Sequence, residues 1–460
     1  MTAEPPGKNT SPFAVRNVRL FIAFRVFFNA RFYYPVFTIL FLDFGLTLDQ
    51  FALLNAVWAA TIVLLEVPSG ALADIIGRRN LLIVTGVLMV VEIGLLCIVP
   101  QGRNDLLFFA FLINRILSGA AEAAASGADE AIAYDSLKAR GRADDWPLVL
   151  ERLVRFQSAA YLFAMSIGAA VYDPALMQKV VQWLGWDLRL TQATTLRFPL
   201  FLTLGMALLT LATTLRLREP GPLAGSRNRS AASIAGVFRM TLGGGKWILQ
   251  TPFALVLIIA GLLFDNCIRM LITLNSRYYR AILIPEGAFG LIGSAFAVLG
   301  FFVPLLARRM AVRCSPLRNL MIMVATTLTG LWGMTYFWPV FGILPVVLLM
   351  TVMYFNNFFM SHYLNRMSSS EQRATILSFK GLSFNLAYGL IGICYSLLLA
   401  GLRGRLRLAN PGLETAAVES TVFKASIAYF PWYFLATMTA LIVFAAWRLK
   451  GSPEIRDPIE

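Results

Sequence analysis

Two ionisable side chains, Arg115 and Glu122, lie within one long apolar segment of this 460-residue sequence. Seven residues make almost two turns of an α-helix, so both side chains fall on the same helix face. A cation near a carboxylate keeps it ionised until substrate or conformation changes the pair, and such a carboxylate suits proton transfer. The pattern predicts that Glu122 carries a proton and that Arg115 adjusts its charge. A static salt bridge, either between the two or from one of them to another helix, is the alternative.

Charged and amide side chains also occur in other apolar segments, where each is costly unless it faces a cavity or a partner. Glu66 and Asp265 are further candidates for proton coupling, although Asp265 and Arg269, four residues apart, suit a simple intrahelical pair. The excess of deep basic residues favours an anionic solute, whereas the 35 phenylalanines suit lipophilic compounds equally well. The residues predicted to line a substrate cavity are Arg25, Asn29, Glu92, Arg269, Asn356, Asn357 and Lys380.

The composition is that of a membrane protein, since 58% of the chain is hydrophobic and only 14% is charged. Membrane-spanning helices must therefore position these residues. A bilayer core about 30 Å thick needs about 20 apolar residues in each helix. Scanning with that window predicts twelve spans, near residues 18–42, 50–70, 80–100, 105–127, 150–172, 195–216, 250–275, 285–307, 317–337, 339–361, 374–400 and 425–448. The predicted fold is therefore an all-α membrane protein.

The twelve transmembrane helices divide into two pseudo-symmetric halves of six, residues 18–216 and 250–448. A polar stretch rich in Pro, Gly, Ser and Arg, residues 217–249, is predicted to be the linker between the halves. Tails of residues 1–17 and 449–460 complete the chain.

The net charge of +15 has a topological explanation. Cytoplasmic loops retain Lys and Arg, and the densest basic stretches, near residues 138–142, 216–246 and 308–318, fall on one side when both termini are cytoplasmic. The charge then reflects orientation and contact with anionic lipid. Nucleic acid is not expected as a partner.

A short loop between spans two and three carries a recognisable motif, Gly-Ala-Leu-Ala-Asp-Ile-Ile-Gly-Arg-Arg, at residues 70–79. It resembles the signature loop of the major facilitator superfamily, in which this loop latches one half-domain against the other. The stretch Asn114-Arg115-Ile116-Leu117-Ser118-Gly119 is similar to the family's arginine and glycine pattern on the fourth span. The resemblance implies a conformational latch formed by Gly70, Asp74, Gly77, Arg78 and Arg79, and completed by Asp129 and Asp135.

Two features depart from the family pattern. Arg308 stands in the second half where an aspartate is expected, which predicts a one-sided latch. The fifth span lacks the glycine-proline pattern of drug-proton antiporters, which weakens the case for that subclass.

No HExxH, GxSxG or nucleotide-binding P-loop motif is present in the sequence, and its four cysteines are widely separated. We therefore expect no enzyme, cofactor or metal site. The expected function is secondary active transport of a small organic solute across a bacterial inner membrane, coupled to protons, exporting, and carried out by a monomer. Two alternatives remain open: an uptake or facilitated carrier for organic anions that uses the basic cavity, and a non-transporting receptor or scaffold on the same fold.

Overall fold

The computed structural model describes residues 11–102, 105–219, 248–367 and 370–449, and these residues form α-helices joined by short turns. The first half, residues 11–219, contains ten helices: α1 (Arg16–Asn29), α2 (Phe37–Phe44), α3 (Leu48–Ile76), α4 (Arg78–Ile98), α5 (Asp105–Ala125), α6 (Ala128–Lys138), α7 (Trp146–Tyr172), α8 (Pro174–Trp183), α9 (Gln192–Thr195) and α10 (Phe198–Arg216).

The second half, residues 248–449, contains eight helices in the part that is described: α11 (Pro252–Thr273), α12 (Asn275–Ala281), α13 (Phe289–Arg313), α14 (Pro316–Thr335), α15 (Ile343–Met367), α16 (Ser370–Ala409), α17 (Thr415–Ile427) and α18 (Tyr429–Arg448). Most of the predicted linker, residues 220–247, lies outside the described residues, as do the outermost parts of the predicted tails.

Ten helical stretches of the described chain are long and apolar enough to cross a membrane, and they match ten of the twelve predicted spans. The other two positions are helical as well. The predicted span near 317–337 is α14, in which Arg318, Asn319 and several threonines reduce the hydropathy. The predicted span near 18–42 is divided into two helices, α1 and α2.

The division of the first span has local causes. Pro35 lies in a 3-10 turn, Tyr34–Val36, which separates the two helices. A break within a membrane leaves backbone groups that lipid cannot satisfy. Here the backbone N–H of Phe32 donates to the hydroxyl of Thr203 on α10 at 3.1 Å, and this contact allows the break to remain inside the protein.

The turn between α2 and α3 follows ordinary capping rules. Gly45, with a φ of 120°, ends α2 in a conformation that other residues rarely adopt. Two residues later Thr47 begins α3, and Thr47 and Gln50 form a capping box. The tight turn between α2 and α3 therefore has a clear origin in the sequence.

The two halves pack together at one end of the bundle, the end that carries the α2–α3 turn at residues 45–47. On α16, Gly392 lies against Ala52 and Ala56 of α3, and on α13, Gly290 lies against the backbone of Met165 on α7. A Cβ atom at Gly290 would come within 2.1 Å of the Met165 carbonyl oxygen, so this approach requires glycine. We call this the closed end, and the opposite end, with the α3–α4 turn at Gly77, the open end.

Candidate functional site

A cavity of about 720 Å³ lies between the two halves. Both halves contribute to its walls, the first through α1, α3, α5 and α7 and the second through α11, α12, α13, α15 and α16. A recess of about 410 Å³ shares Trp58, Glu122 and Arg269 with this cavity and continues toward the open end. The polar and aromatic lining includes Asn29, Tyr34, Trp58, Arg115, Glu122, Gln157, Tyr161, Arg269, Tyr354 and Tyr388.

Arg115 on α5 is 4% exposed and lines the cavity. Its Nε donates to the Asn114 side-chain oxygen at 3.1 Å, and its guanidinium carbon lies 5.4 Å from the ring centres of both Phe37 and Phe41. One terminal nitrogen, Nη2, is buried without a hydrogen-bond partner among the described residues. No carboxylate of the described chain lies within ion-pair distance of Arg115, so the alternative of a static pair with Glu122 is wrong.

Glu122, seven residues further along α5, lines both the cavity and the recess. Its side chain is exposed to this internal space, and in the part of the chain that is described its carboxylate forms no ion pair or hydrogen bond. Arg31 and Arg25 are the basic side chains that act electrostatically on it. An unpaired carboxylate inside a water-accessible cavity can gain and lose a proton without disrupting the fold.

Glu92 on α4 does not face the cavity. It is fully buried, and its Oε1 accepts from Nη1 of Arg31 at 2.5 Å, while the side chain of Asn114 donates to its backbone carbonyl at 3.0 Å. The sequence predicted a cavity position for Glu92, and that prediction is wrong because the break in the first span points Arg31 toward α4. Arg31 itself does line the cavity.

Arg25 on α1 lines the recess, where it forms ion pairs with Asp129 and, at 3.2 Å, with Glu130. Asp129 was predicted to take part in the latch near Arg78, but the structure pairs it with Arg25 instead. The physical reason is a turn of the chain at Gly127, whose φ is 75°. The helix α6, which carries Asp129, begins there in a direction different from that of α5. Glu66 on α3 also lines this recess, and one of its oxygens is buried without a partner among the described residues.

In the second half, Asp265 and Arg269 on α11 form the intrahelical pair expected from their spacing, at 3.6 Å. Arg269 faces the cavity, donates to the Asn385 side chain at 3.2 Å, and lies 4.9 Å from the ring centre of Tyr388. Lys380 lies 5.3 Å from the Phe384 ring centre and is not part of the cavity lining.

The two asparagines of α15 lie away from the cavity lining. Asn356 is buried and donates to the backbone carbonyl of Gly261 on α11 at 3.1 Å, so it joins two helices. Asn357 is exposed on the surface of the described helix. The structure thus places Asn29 and Arg269 in the cavity lining, Arg25 in the adjoining recess, and the other predicted lining residues elsewhere.

The predicted latch loop lies at the open end. Arg78 forms an ion pair with Asp135 on α6, as the sequence predicted. The carboxylate of Glu219 accepts from the backbone N–H groups of Arg78 at 3.2 Å and Arg79 at 2.8 Å, and so it caps the first turn of α4. Gly77 has a φ of 87°, which explains the need for glycine.

These latch contacts join elements of the first half only. The side chain of Asp74 lies outside the described part of the structure, and a Cβ atom at Gly70 would meet no atom within 4 Å. Glu219 was not predicted, because nothing in its local sequence distinguishes a helix-capping carboxylate from a linker residue.

At the closed end, charged side chains join the two halves. Arg280 on α12 makes two bonds to the Asp43 carboxylate of α2, at 2.7 and 2.6 Å, and also pairs with Glu286 at 2.5 Å. Asp49 on α3 pairs with Arg403 on α16 at 2.8 Å. Among the described residues, these are the ion pairs that connect the halves, and all of them lie at this end.

Comparison with known proteins identifies the family of this chain. The family model of the Major Facilitator Superfamily matches residues 19–392, so the chain belongs to that superfamily. Its members are transporters, and the chain is a protein of that class rather than an enzyme. No curated protein matches the sequence.

Solved structures of transporters share the fold at low sequence identity. A variant of the nucleoside transporter NupG is 14% identical, with a TM-score of 0.67, over 94% of this chain and 99% of that one. A bacterial homolog of the human lysosomal transporter Spinster, in an inward-facing and unoccupied conformation, is 16% identical, with a TM-score of 0.68, over 98% of each chain. A D-xylose-proton symporter is 13% identical, with a TM-score of 0.59, over 97% and 98%. At such identities the comparison establishes the fold.

Proposed function

We propose that the protein is a secondary transporter that carries a small organic solute across the bacterial inner membrane, coupled to protons, by alternating access. The observation that carries the proposal is the carboxylate of Glu122, which has no partner among the described residues and lies in a cavity between two halves. The ion pairs that the described residues form between these halves all lie at the closed end. Rocking of the halves would break the ion pairs of the closed end and expose the same cavity to the other side.

We assign the open end to the cytoplasm. The basic turn after α6, residues 138–142, and the turn between α13 and α14 both lie at this end, and cytoplasmic loops retain Lys and Arg. A single cysteine placed at Trp183, which is 85% exposed near the closed end, should react with an impermeant maleimide in intact cells. A cysteine at Arg140 should react only after permeabilisation. The reverse pattern would overturn the orientation, and with it the cytoplasmic placement of both termini.

Proton coupling can be tested with Glu122→Gln, which keeps the shape of the side chain and removes its titration. In proteoliposomes with an imposed pH gradient, the variant should bind solute but lose gradient-driven accumulation. Glu151→Gln is the matched control, because Glu151 pairs with Arg155 on an exposed face of α7. Gradient-driven accumulation by the Glu122→Gln protein would remove this residue from the coupling mechanism. Solute binding without any flux in wild type would indicate the receptor alternative.

The direction of transport depends on how proton and solute share the cavity. In export by exchange they compete, whereas in symport they bind together. Arg115 and Glu122 are two helical turns apart and are not paired with each other, so both can be occupied at once. This favours proton-driven uptake over the export predicted from the sequence. Solute addition to proteoliposomes that contain a pH-sensitive dye should acidify the lumen, and alkalinisation would restore export.

We also propose that one chain suffices for this cycle, because the cavity is built from the two halves of a single protein. The molar mass of the detergent-solubilised protein, corrected for bound detergent, should be that of a monomer.

A further inference from the structure

We propose that the cavity binds an organic monoanion, whose carboxylate is held by Arg115 and whose apolar body packs on the surrounding aromatic rings. This inference rests on the transport function proposed above and gives its substrate class. It follows from the charges in the cavity, the burial of Arg115 and the identity of its neighbours.

The charge balance of the cavity leaves one basic group available. Three arginines line it, and Arg31 is neutralised by Glu92 at 2.5 Å. Arg269 has Asp265 at 3.6 Å and the Asn385 side chain at 3.2 Å. Arg115 has only a neutral amide oxygen, and its Nη2 has no partner among the described residues. A buried guanidinium group without a carboxylate is costly, and an anionic ligand would satisfy it.

The carboxylate in the same cavity does not compensate Arg115. Glu122 lies about 10 Å further along the helix axis, from seven residues at about 1.5 Å each. Basic side chains of the first half, Arg25 and Arg31, already act on it. No basic group of the described chain forms an ion pair with Glu122, so its carboxylate remains available for a proton.

The surroundings of Arg115 indicate an apolar, planar ligand body. Its guanidinium packs against Phe37 and Phe41, and Tyr34 and Trp58 line the same space. Across the cavity the Tyr388 hydroxyl is acted on electrostatically by both Arg269 and Arg115. A volume of about 720 Å³ accommodates a small organic molecule. An anion on Arg115 whose body reaches the Tyr388 side of the cavity would contact both halves, as a solute that promotes their rocking must do.

Anion and proton should bind cooperatively. Two unit charges about 10 Å apart, at an effective dielectric constant of about 20, change each other's affinity on the order of tenfold. Protonation of Glu122 should therefore tighten anion binding by about that factor. The charged groups that face Glu122 from its neighbouring elements would modulate this effect; they are Arg25, Arg31, Glu66, Glu92, Asp129, Glu130 and Arg269.

The test measures the melting temperature of the full chain in detergent at increasing concentrations of matched probes, since a ligand of the folded state stabilises it. The probes are benzoate, 1-naphthoate and 4-phenylbutyrate, with benzylamine and benzyl alcohol as cationic and neutral counterparts, and with phosphate and acetate as anions without an aromatic body. The aromatic carboxylates should stabilise wild type most, with a higher apparent affinity at pH 5.5 than at pH 8. Equal stabilisation by benzylamine, benzyl alcohol or phosphate, or none by any carboxylate, would overturn the proposal.

Two variants locate the binding group. Arg115→Gln should weaken carboxylate binding at least tenfold, and Arg155→Gln, the same change at an arginine of the outer face of α7, should leave it unchanged. Should Arg115→Gln fail to fold, Arg115→Lys keeps the charge and should bind more weakly than wild type. Wild-type affinity in either Arg115 variant would refute the role of Arg115.

The proposal on substrate class and the proposal on proton coupling can be refuted independently of each other. Glu122→Gln should still be stabilised by the carboxylates, with little dependence on pH. Carboxylate binding that follows these expectations while Glu122→Gln retains proton-driven transport would refute the coupling proposal alone. Loss of pH-driven transport in that variant, combined with no preference for carboxylates in wild type, would refute the anion proposal alone.

Discussion

Asp43→Asn is expected to loosen the closed end, because it removes the charge that Arg280 holds across the two halves. Arg280 keeps its second partner, Glu286, so the substitution does not leave a buried arginine unpaired. The pair that is lost is bidentate and partly buried, with side chains 28% and 17% exposed. A charge-assisted interaction of this kind contributes about 2 kcal/mol. The balance between the two conformations should therefore shift about thirtyfold away from the closed arrangement.

The shift can be read from distances between spin labels at Trp183 and Leu408, which lie one in each half and are 85% and 84% exposed. The labels are placed in a background without the four native cysteines. Glu286→Gln is the matched control, since it removes a carboxylate from the same arginine but within the second half. Asp43→Asn should lengthen the distance and Glu286→Gln should not. If both variants give the same distance distribution, the ion pair between the halves does not hold this end closed.

Three further substitutions test other parts of the structure. Glu92→Gln should destabilise the protein by about 3 to 5 kcal/mol, because it leaves a buried arginine without its charge partner, and a melting temperature equal to that of wild type would contradict this. Gly168→Ala would place a Cβ atom 1.8 Å from a backbone carbonyl oxygen and should strongly reduce the folded yield, whereas Gly205→Ala, with no atom within 4 Å, should not. Glu219→Ala should cost about 1 kcal/mol of local stability by removing the cap of α4, seen as faster hydrogen exchange at the first two amides of that helix; unchanged exchange would argue against the cap.

The fold could be predicted from the sequence, because membrane helices and the signature loop are each encoded by a short continuous stretch of residues. Apolar length predicted ten spans that the structure confirms, and the motif at residues 70–79 identified the superfamily. The break in the first span was harder to predict. Pro35 permits a kink, but a kink alone does not indicate that Arg31, which lines the cavity, also pairs with Glu92 of α4.

The relative positions of site residues were predictable where helical periodicity within one helix sets them. The positions of Arg115 and Glu122 on a shared face follow from helical periodicity, and both line the cavity. The pair of Asp43 and Arg280 joins residues that are 237 positions apart, and a single sequence offers no signal for it. Lys380 and Asn357 were assigned to the cavity by helix position, but the rotation of each helix depends on packing that composition does not specify.

The buried pair of Arg31 and Glu92 also constrains how the protein can be made. Translation produces Arg31 61 residues before its acid, so the first span reaches the insertion machinery with an uncompensated charge. Releasing such a charge into lipid costs about 2.5 to 3.5 kcal/mol on insertion scales. The first two helical segments should therefore stay beside the translocon until the third span emerges, and they enter the bilayer as a group. In Glu92→Gln this group of helices would lack the carboxylate that neutralises Arg31. Early degradation during biogenesis would then accompany the loss of stability in the mature protein.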